Sequence, residues 1–212
     1  MDPLEAAQRI GPILPWLDLF GIAVFAATGA LAAARREQTF VTLAFFSLVT
    51  GIGGGAIRDL LIGAPVFWVH DERVAPLCLA VAVAVWFTPH RWWTSTVFDW
   101  LDAAGLGAYA AFGAAKAMSY GIPPVPAAVM GVVTACSGGI IRDVLAGEPS
   151  ILMRPELYVT AAALAAVLQV ALTLAGLEPF AAGLIAASAG FALRGAAIHW
   201  RLALPAYRKP EK

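Results

Sequence analysis

Gly51-Ile-Gly-Gly-Gly-Ala-Ile-Arg-Asp-Leu-Leu61 is a run of glycines followed by an arginine–aspartate pair, set inside an apolar stretch of membrane length. Glycine in a helix interior costs roughly 1 kcal/mol relative to alanine. An ionised side chain at the centre of a bilayer costs about 2.5 kcal/mol or more. The chain accepts both costs twice, because Cys136-Ser-Gly-Gly-Ile-Ile-Arg-Asp-Val-Leu145 repeats the pattern. A fold for this sequence has to give the two motifs related places.

The repetition extends well beyond the motif. At an offset of 84 residues, Gly54-Gly-x-Ile-Arg-Asp-x-Leu-x-Gly-x-Pro65 falls on Gly138-Gly-x-Ile-Arg-Asp-x-Leu-x-Gly-x-Pro149. Upstream, Leu17-Asp18-x-x-Gly21 falls on Leu101-Asp102-x-x-Gly105, and Ala26-Ala-x-Gly-Ala30 on Ala110-Ala-x-Gly-Ala114; downstream, Glu72 falls on Glu156. Alanine and glycine agree by chance in such a sequence, but aligned aspartate, arginine–aspartate, glutamate and proline do not. The chain is read as a duplication.

Composition says what medium the repeats occupy. Of 212 residues 60% are hydrophobic and 13% charged, with mean hydropathy +0.78, whereas soluble domains run at about 45–50% apolar and 25% charged. This is the composition of an integral membrane protein. Lys and Arg are scattered and the net charge is zero, so no basic face for nucleic acid is expected. Cys78 and Cys136 both lie in apolar runs and are expected to be free. The N-terminus opens with Asp2 and Glu5 rather than a basic segment, and no A-x-A-like site follows the first apolar run, which is expected to stay in the mature protein.

Seven spans are predicted, each needing about 20 mostly apolar residues: about 16–34, 39–62, 74–87, 98–120, 127–146, 155–175 and 179–200. The chain is thus one all-α membrane domain, with repeat one at about 16–92, repeat two at about 98–176, a seventh helix at about 179–200 and a basic tail over 201–212. Each repeat holds three spans, an odd number, so the second is inverted relative to the first. Lys and Arg near span ends set orientation. Arg9, Arg73 and Lys116 fall on one side, against Arg35, Arg36, Arg91, Arg154, Arg201, Arg208, Lys209 and Lys212 on the other, so the N-terminus is expected outside and the C-terminus in the cytoplasm.

Inverted repeats place ion or substrate sites near the bilayer midplane, between helices interrupted by glycine or proline. Helices two and five are therefore expected to break at Gly53-Gly54-Gly55 and at Gly138-Gly139. The freed carbonyls, with the hydroxyls of Ser47, Thr50, Thr134 and Ser137, would make a cation dehydration site of dipoles. Two other uses of the glycines stand beside this one. Gly51-x-x-x-Gly55 is also a close-packing motif, and Gly51-x-Gly53-x-x-Ala56 fits the loose dinucleotide fingerprint, which needs a preceding strand that an apolar span does not supply.

Neighbours on a helix do not face each other, so Arg58 and Asp59, like Arg142 and Asp143, are expected to find partners elsewhere. Matching depth pairs Asp18 with Arg58 at the outer mouth and Asp102 with Arg142 at the inner one; the alternative is that the arginines reach the headgroups. Lys116 breaks the symmetry, its counterpart being Ala32. It lies roughly 21 Å beyond Asp102 along the helix, near the outer mouth, as a snorkelling lysine or a gate that feels about 2.3 kcal/mol per 100 mV. Arg194, in the seventh span, is assigned to a protomer contact or to the headgroups. His70, His90 and His199 lack metal-ligand spacing, no nucleophile sits with a base, and neither an enzyme nor a cofactor is expected.

The inverted triple-span repeats, each with Gly-Gly-x-x-Arg-Asp on its second helix, plus a seventh span, resemble the prokaryotic branch of the trimeric intracellular cation channels. The resemblance covers about residues 15–200 and implies a homotrimer with one pore per protomer, conducting monovalent cations, potassium chiefly, through the inner (plasma) membrane, with lipids around it. Animal members carry Lys-Glu-Val on the fourth span; here Lys116 matches the lysine but Ala117-Met118 replaces Glu-Val. Bacterial members are often labelled glycine transporters, so a secondary transporter of a small solute is the alternative.

Overall fold

A computed structural model describes residues 14–153 and 155–205. Arg9, Arg154, Arg208, Lys209 and Lys212, used above for orientation, lie outside the described residues, as does most of the basic tail. The helices are α1 (Leu14–Arg35), α2 (Phe40–Leu61), the single turn α3 (Phe67–His70), α4 (Val74–Phe87), α5 (Ser95–Ser119), α6 (Pro124–Ala146), α7 (Val159–Leu174) and α8 (Pro179–Trp200). No strand occurs among the described residues beyond an isolated bridge between Glu156 and Ala203. That bridge, with the Leu204 N–H on the Pro155 carbonyl, holds Pro155 to Tyr158 out of helix, so the sixth span begins later than its apolar run.

Among the described residues, four helices are long and apolar enough to cross a membrane: α1 from Asp18, α2, α6 and α8. The 25-residue α5 is the hub, packed on α1, α6, α7 and α8. It is less apolar overall because it carries Asp99, Asp102 and Lys116, and Gly105, Gly107 and Gly113 line it where neighbours come close. The apolar helices α4 and α7 are shorter, at 14 and 16 residues.

Both α2 and α6 run as continuous helix through their glycine clusters, so the expected breaks are absent. The reason is packing. A Cβ on Gly54 would land on the Thr134 carbonyl oxygen, and one on Gly138 would lie 2.9 Å from the Thr50 carbonyl oxygen. These four residues are two pairs 84 positions apart, and each glycine faces the backbone of the other helix. The glycines let two helices cross at backbone contact, which is the small-residue packing seen between membrane helices. With the ladder intact, the carbonyls expected to form a dipolar cation site are instead used within their own helices.

The same reciprocity recurs away from the crossing. Phe25 and Tyr109, again 84 apart, stack with ring centroids 5.1 Å apart. Gly21 lies against the Tyr109 ring and Gly105 against that of Phe25, while the Tyr109 hydroxyl donates to the Gly51 carbonyl at 3.1 Å. Helices α2 and α6 also end alike. Gly63 (φ +69°) and Gly147 (φ +65°) adopt the left-handed conformation. The N–H groups of Ala64 and Glu148 return to the Asp59 and Asp143 carbonyls, both at 2.9 Å. This glycine-closed helix end, followed by Pro65 or Pro149, is what the repeated Gly-x-Pro encodes.

Candidate functional site

Around the crossing, hydroxyls sit at buried positions on both helices. Thr50 and Thr134 are fully buried, and Ser47 and Ser137 are buried beside them. Thr134 Oγ1 donates to the Met130 carbonyl and Ser137 Oγ to that of Val133, both at 2.6 Å, and Ser47 Oγ donates to the Cys78 carbonyl at 2.8 Å. Thr50 Oγ1 has no hydrogen-bond partner among the described residues. Gly53 faces the Ile141 side chain, Gly55 the Phe67 ring and Gly139 the Tyr158 hydroxyl. Both cysteines are buried and free.

At one end of this pair of helices, Arg142 is buried among acceptors. Its Nη1 reaches Asp102 Oδ1 at 2.5 Å and Thr28 Oγ1 at 3.1 Å, while Nε and Nη2 both reach Asp143 Oδ1 at 2.9 Å. Asp143 Oδ2 accepts the Ile151 N–H at 2.8 Å. At the other end Arg58 Nε donates to Asp59 Oδ1 at 2.8 Å, and Asp59 Oδ2 accepts the Phe67 N–H at 3.0 Å, at the start of α3. Ile151 and Phe67 are again 84 apart. Adjacent arginine and aspartate therefore do meet, against expectation, because the guanidinium is long enough to fold back over the neighbouring carboxylate once each carboxylate is fixed by a backbone N–H in the following loop.

The two modules differ in their third partner. Asp18 does not pair with Arg58 as expected. Asp18 Oδ1 and both Arg58 Nη atoms are buried without hydrogen-bond partners among the described residues. Arg58 instead lies over the Phe112 ring at 4.9 Å, the residue that corresponds to Thr28. Lys116 does not reach headgroups; its Nζ lies 2.8 Å from Asp59 Oδ1, with 11% of its side chain exposed. Asp59 Oδ1 thus holds two cations, Arg58 and Lys116. Arg194 neither snorkels nor leaves the protomer. It is buried, its Nη2 is 2.6 Å from Glu156 Oε2 and its guanidinium lies over the Tyr158 ring. The Arg194–Glu156 pair was not foreseen, since Glu156 belongs to the second repeat, Arg194 lies on the helix outside both repeats, and the two share no motif.

Comparison with known proteins follows the same division. The family model described as Glycine transporter matches residues 15–90 and again 99–174, two stretches 84 positions apart. A crystal structure of the TRIC trimeric intracellular cation channel orthologue from Rhodobacter sphaeroides superimposes with a TM-score of 0.85 at 41% identity, over 91% of this chain and 100% of that one. The chain belongs to the TRIC channel family. This TRIC member is a multi-pass membrane protein, and curated relatives carry membrane names. It is 37% identical over 201 residues to a UPF0126 membrane protein of Vibrio cholerae, covering 92% of this chain and 83% of that one. It is 34% identical over 200 residues to the UPF0126 inner membrane protein YadS of Escherichia coli K12, covering 92% and 97%.

Proposed function

We propose that this chain is a monovalent cation channel of the inner membrane, with potassium as its main ion. It crosses the membrane seven times as two inverted three-helix repeats and a seventh helix, with the C-terminus in the cytoplasm. Three copies assemble, each holding its own pathway. The observation that carries the reading is the likeness over nearly the whole chain to a protein itself described as a trimeric intracellular cation channel. The pathway runs beside the α2–α6 crossing, past Thr50, Thr134 and Ser137, with Gly53, Gly54, Gly55, Gly138 and Gly139 holding the packing around it close. Asp18, Arg58 and Asp59 stand at the outer mouth and Asp102, Arg142 and Asp143 at the inner one. Lys116, bound to Asp59, acts as the gate.

A second reading, secondary transport of a small solute such as glycine, draws on the description of the family model that matches twice. Coupled transporters use ionisable groups within their spans to carry the coupling ion. Here the carboxylates inside the described helices are Asp18, Asp59, Asp99, Asp102 and Asp143. All sit towards helix ends and none beside Thr50, Thr134 or Ser137, which favours the channel. Proteoliposomes separate the two readings. A channel gives rapid rubidium-tracer exchange that glycine does not alter, whereas proton-linked glycine uptake without rubidium exchange would replace it with the transporter.

A further inference from the structure

The lysine half of the molecule can be used as a template for the half without it. Around Lys116 Nζ stand the Asp59 carboxylate at 2.8 Å and the Phe67 ring at 5.9 Å, with Arg58 on the same carboxylate. Moving 84 positions along the chain turns these into Asp143, Ile151 and Arg142, and turns Lys116 into Ala32. All four line a cavity of about 80 Å³ whose rim carries Arg35 and Glu148. The short alanine leaves open the volume that a lysine fills in the other repeat.

Two further observations say what the cavity is short of. Asp59 is sealed, with 0% of its side chain exposed beneath Lys116, whereas 12% of the Asp143 side chain is open. The charges differ as well. Asp18, Asp59, Arg58 and Lys116 sum to zero, while Asp102, Asp143 and Arg142 sum to minus one. At the rim the charges cancel in pairs, Glu148 with Arg36 and Arg35 with nearby Asp99. The Arg35 guanidinium is turned onto the Phe98 ring at 4.5 Å and the Thr94 carbonyl at 3.1 Å, and Glu148 reaches across to Arg36, half exposed like its partner. A buried carboxylate pair sharing one guanidinium is left one positive charge short.

We propose that the Ala32 cavity binds a small monovalent cation against the Asp143 carboxylate, in the position that the Lys116 ammonium takes on Asp59. The inference adds a binding site to the proposed channel and rests on that reading only for its effect on conduction. The site itself stands on the comparison of the two repeats. Because the template is an alkylammonium, the cavity takes an ammonium head as well as an alkali ion of similar size. Occupation completes the charge of the inner module and ties the open face of Asp143.

The test uses the purified full-length protein crystallised in RbCl, so that anomalous scattering marks a bound ion. The expected result is a rubidium peak in direct contact with the Asp143 carboxylate, lost when methylammonium chloride replaces part of the salt and absent from Ala32→Lys. In detergent, the wild type gains melting temperature with KCl over N-methylglucamine chloride at equal ionic strength, and Ala32→Lys loses that potassium-dependent gain. No peak in the cavity, or a peak indifferent both to methylammonium and to Ala32→Lys, would mean an adventitious ion only and overturn the site. The wild-type peak and its competition stand without the variant, should Ala32→Lys not fold. Rubidium in the cavity of a protein silent in bilayers would sink the channel and keep the site; conduction with an empty cavity would do the reverse.

Discussion

Replacing Gly54 by alanine should force α2 and α6 apart. The new methyl would fall on the Thr134 carbonyl oxygen, with the Thr134 carbonyl carbon at 3.2 Å and the Gly138 nitrogen at 3.5 Å behind it. These are backbone atoms of a facing helix and cannot rotate away. Overpacking a well-packed site costs about 1–3 kcal/mol, and a rigid obstacle puts Gly54→Ala at the upper end. Alanine returns about 1 kcal/mol of helix propensity, so the net loss is about 2 kcal/mol. The neighbouring Gly53→Ala meets only the tip of Ile141, Cδ1 at 2.6 Å with Cγ1 at 3.9 Å, which a rotamer change relieves. That variant should be neutral or gain up to about 1 kcal/mol. Gly138→Ala, 2.9 Å from the Thr50 carbonyl oxygen, should fall between them. Thermal unfolding of the three purified variants in one detergent gives the order directly. Equal melting of Gly53→Ala and Gly54→Ala, or a lower value for Gly53→Ala, would refute the crossing and restore a helix opened at the glycines.

The charged modules make further predictions. Asp102→Asn weakens the charged hydrogen bond to Arg142 Nη1 but leaves the guanidinium on Asp143, and should cost about 2 kcal/mol, whereas Asp18→Asn, at a carboxylate oxygen with no hydrogen bond among the described residues, should stay within about 1 kcal/mol; equal losses on melting would contradict the asymmetry. Lys116→Ala should open a second cavity beside Asp59 and, in rubidium-soaked crystals, a second anomalous peak there. In the loop before α4 the Arg73 guanidinium, hydrogen-bonded to Asp71 at 2.7 and 2.9 Å, holds the Asp71 carboxyl below its ordinary pKa. With the folded value depressed, the pair's contribution is full above the ordinary carboxyl pKa and is lost only as pH falls through the folded value. Melting curves of wild type and Asp71→Asn should therefore differ by a constant amount above that range and converge in stronger acid.

Much of the fold is written in residues that repeat. The Gly-x-Pro ends, the paired glycines and the arginine–aspartate steps recur because each has a backbone job: closing a helix in the left-handed conformation, letting backbones touch, and binding a loop N–H. The span limits followed from hydropathy, and α4 and α8 begin and end where the apolar runs do. Helix continuity through Gly53-Gly54-Gly55 was not legible, since the same glycines suit a broken helix and a close crossing, and only the position of Thr134 tells them apart. The partners of Arg58 and Lys116 were missed for a related reason. Symmetry suggested two equal ion pairs, but Phe112 stands where Thr28 stands in the other half, and a lysine on the fourth span joins Arg58 on Asp59. Glu156 carried no sign that it would meet Arg194 on α8, because the final helix lies outside the repeat. Short α3 was also unforeseen, its first N–H being held by Asp59 rather than by any local signal.

The most direct test of the central claim is single-channel recording of the purified protein in a planar bilayer under a KCl gradient. A monovalent cation channel gives discrete openings whose reversal potential lies close to the potassium equilibrium potential and shifts with the gradient as that potential does. Openings that reverse near the chloride potential, or a silent bilayer from protein that takes up glycine in liposomes, would contradict the account.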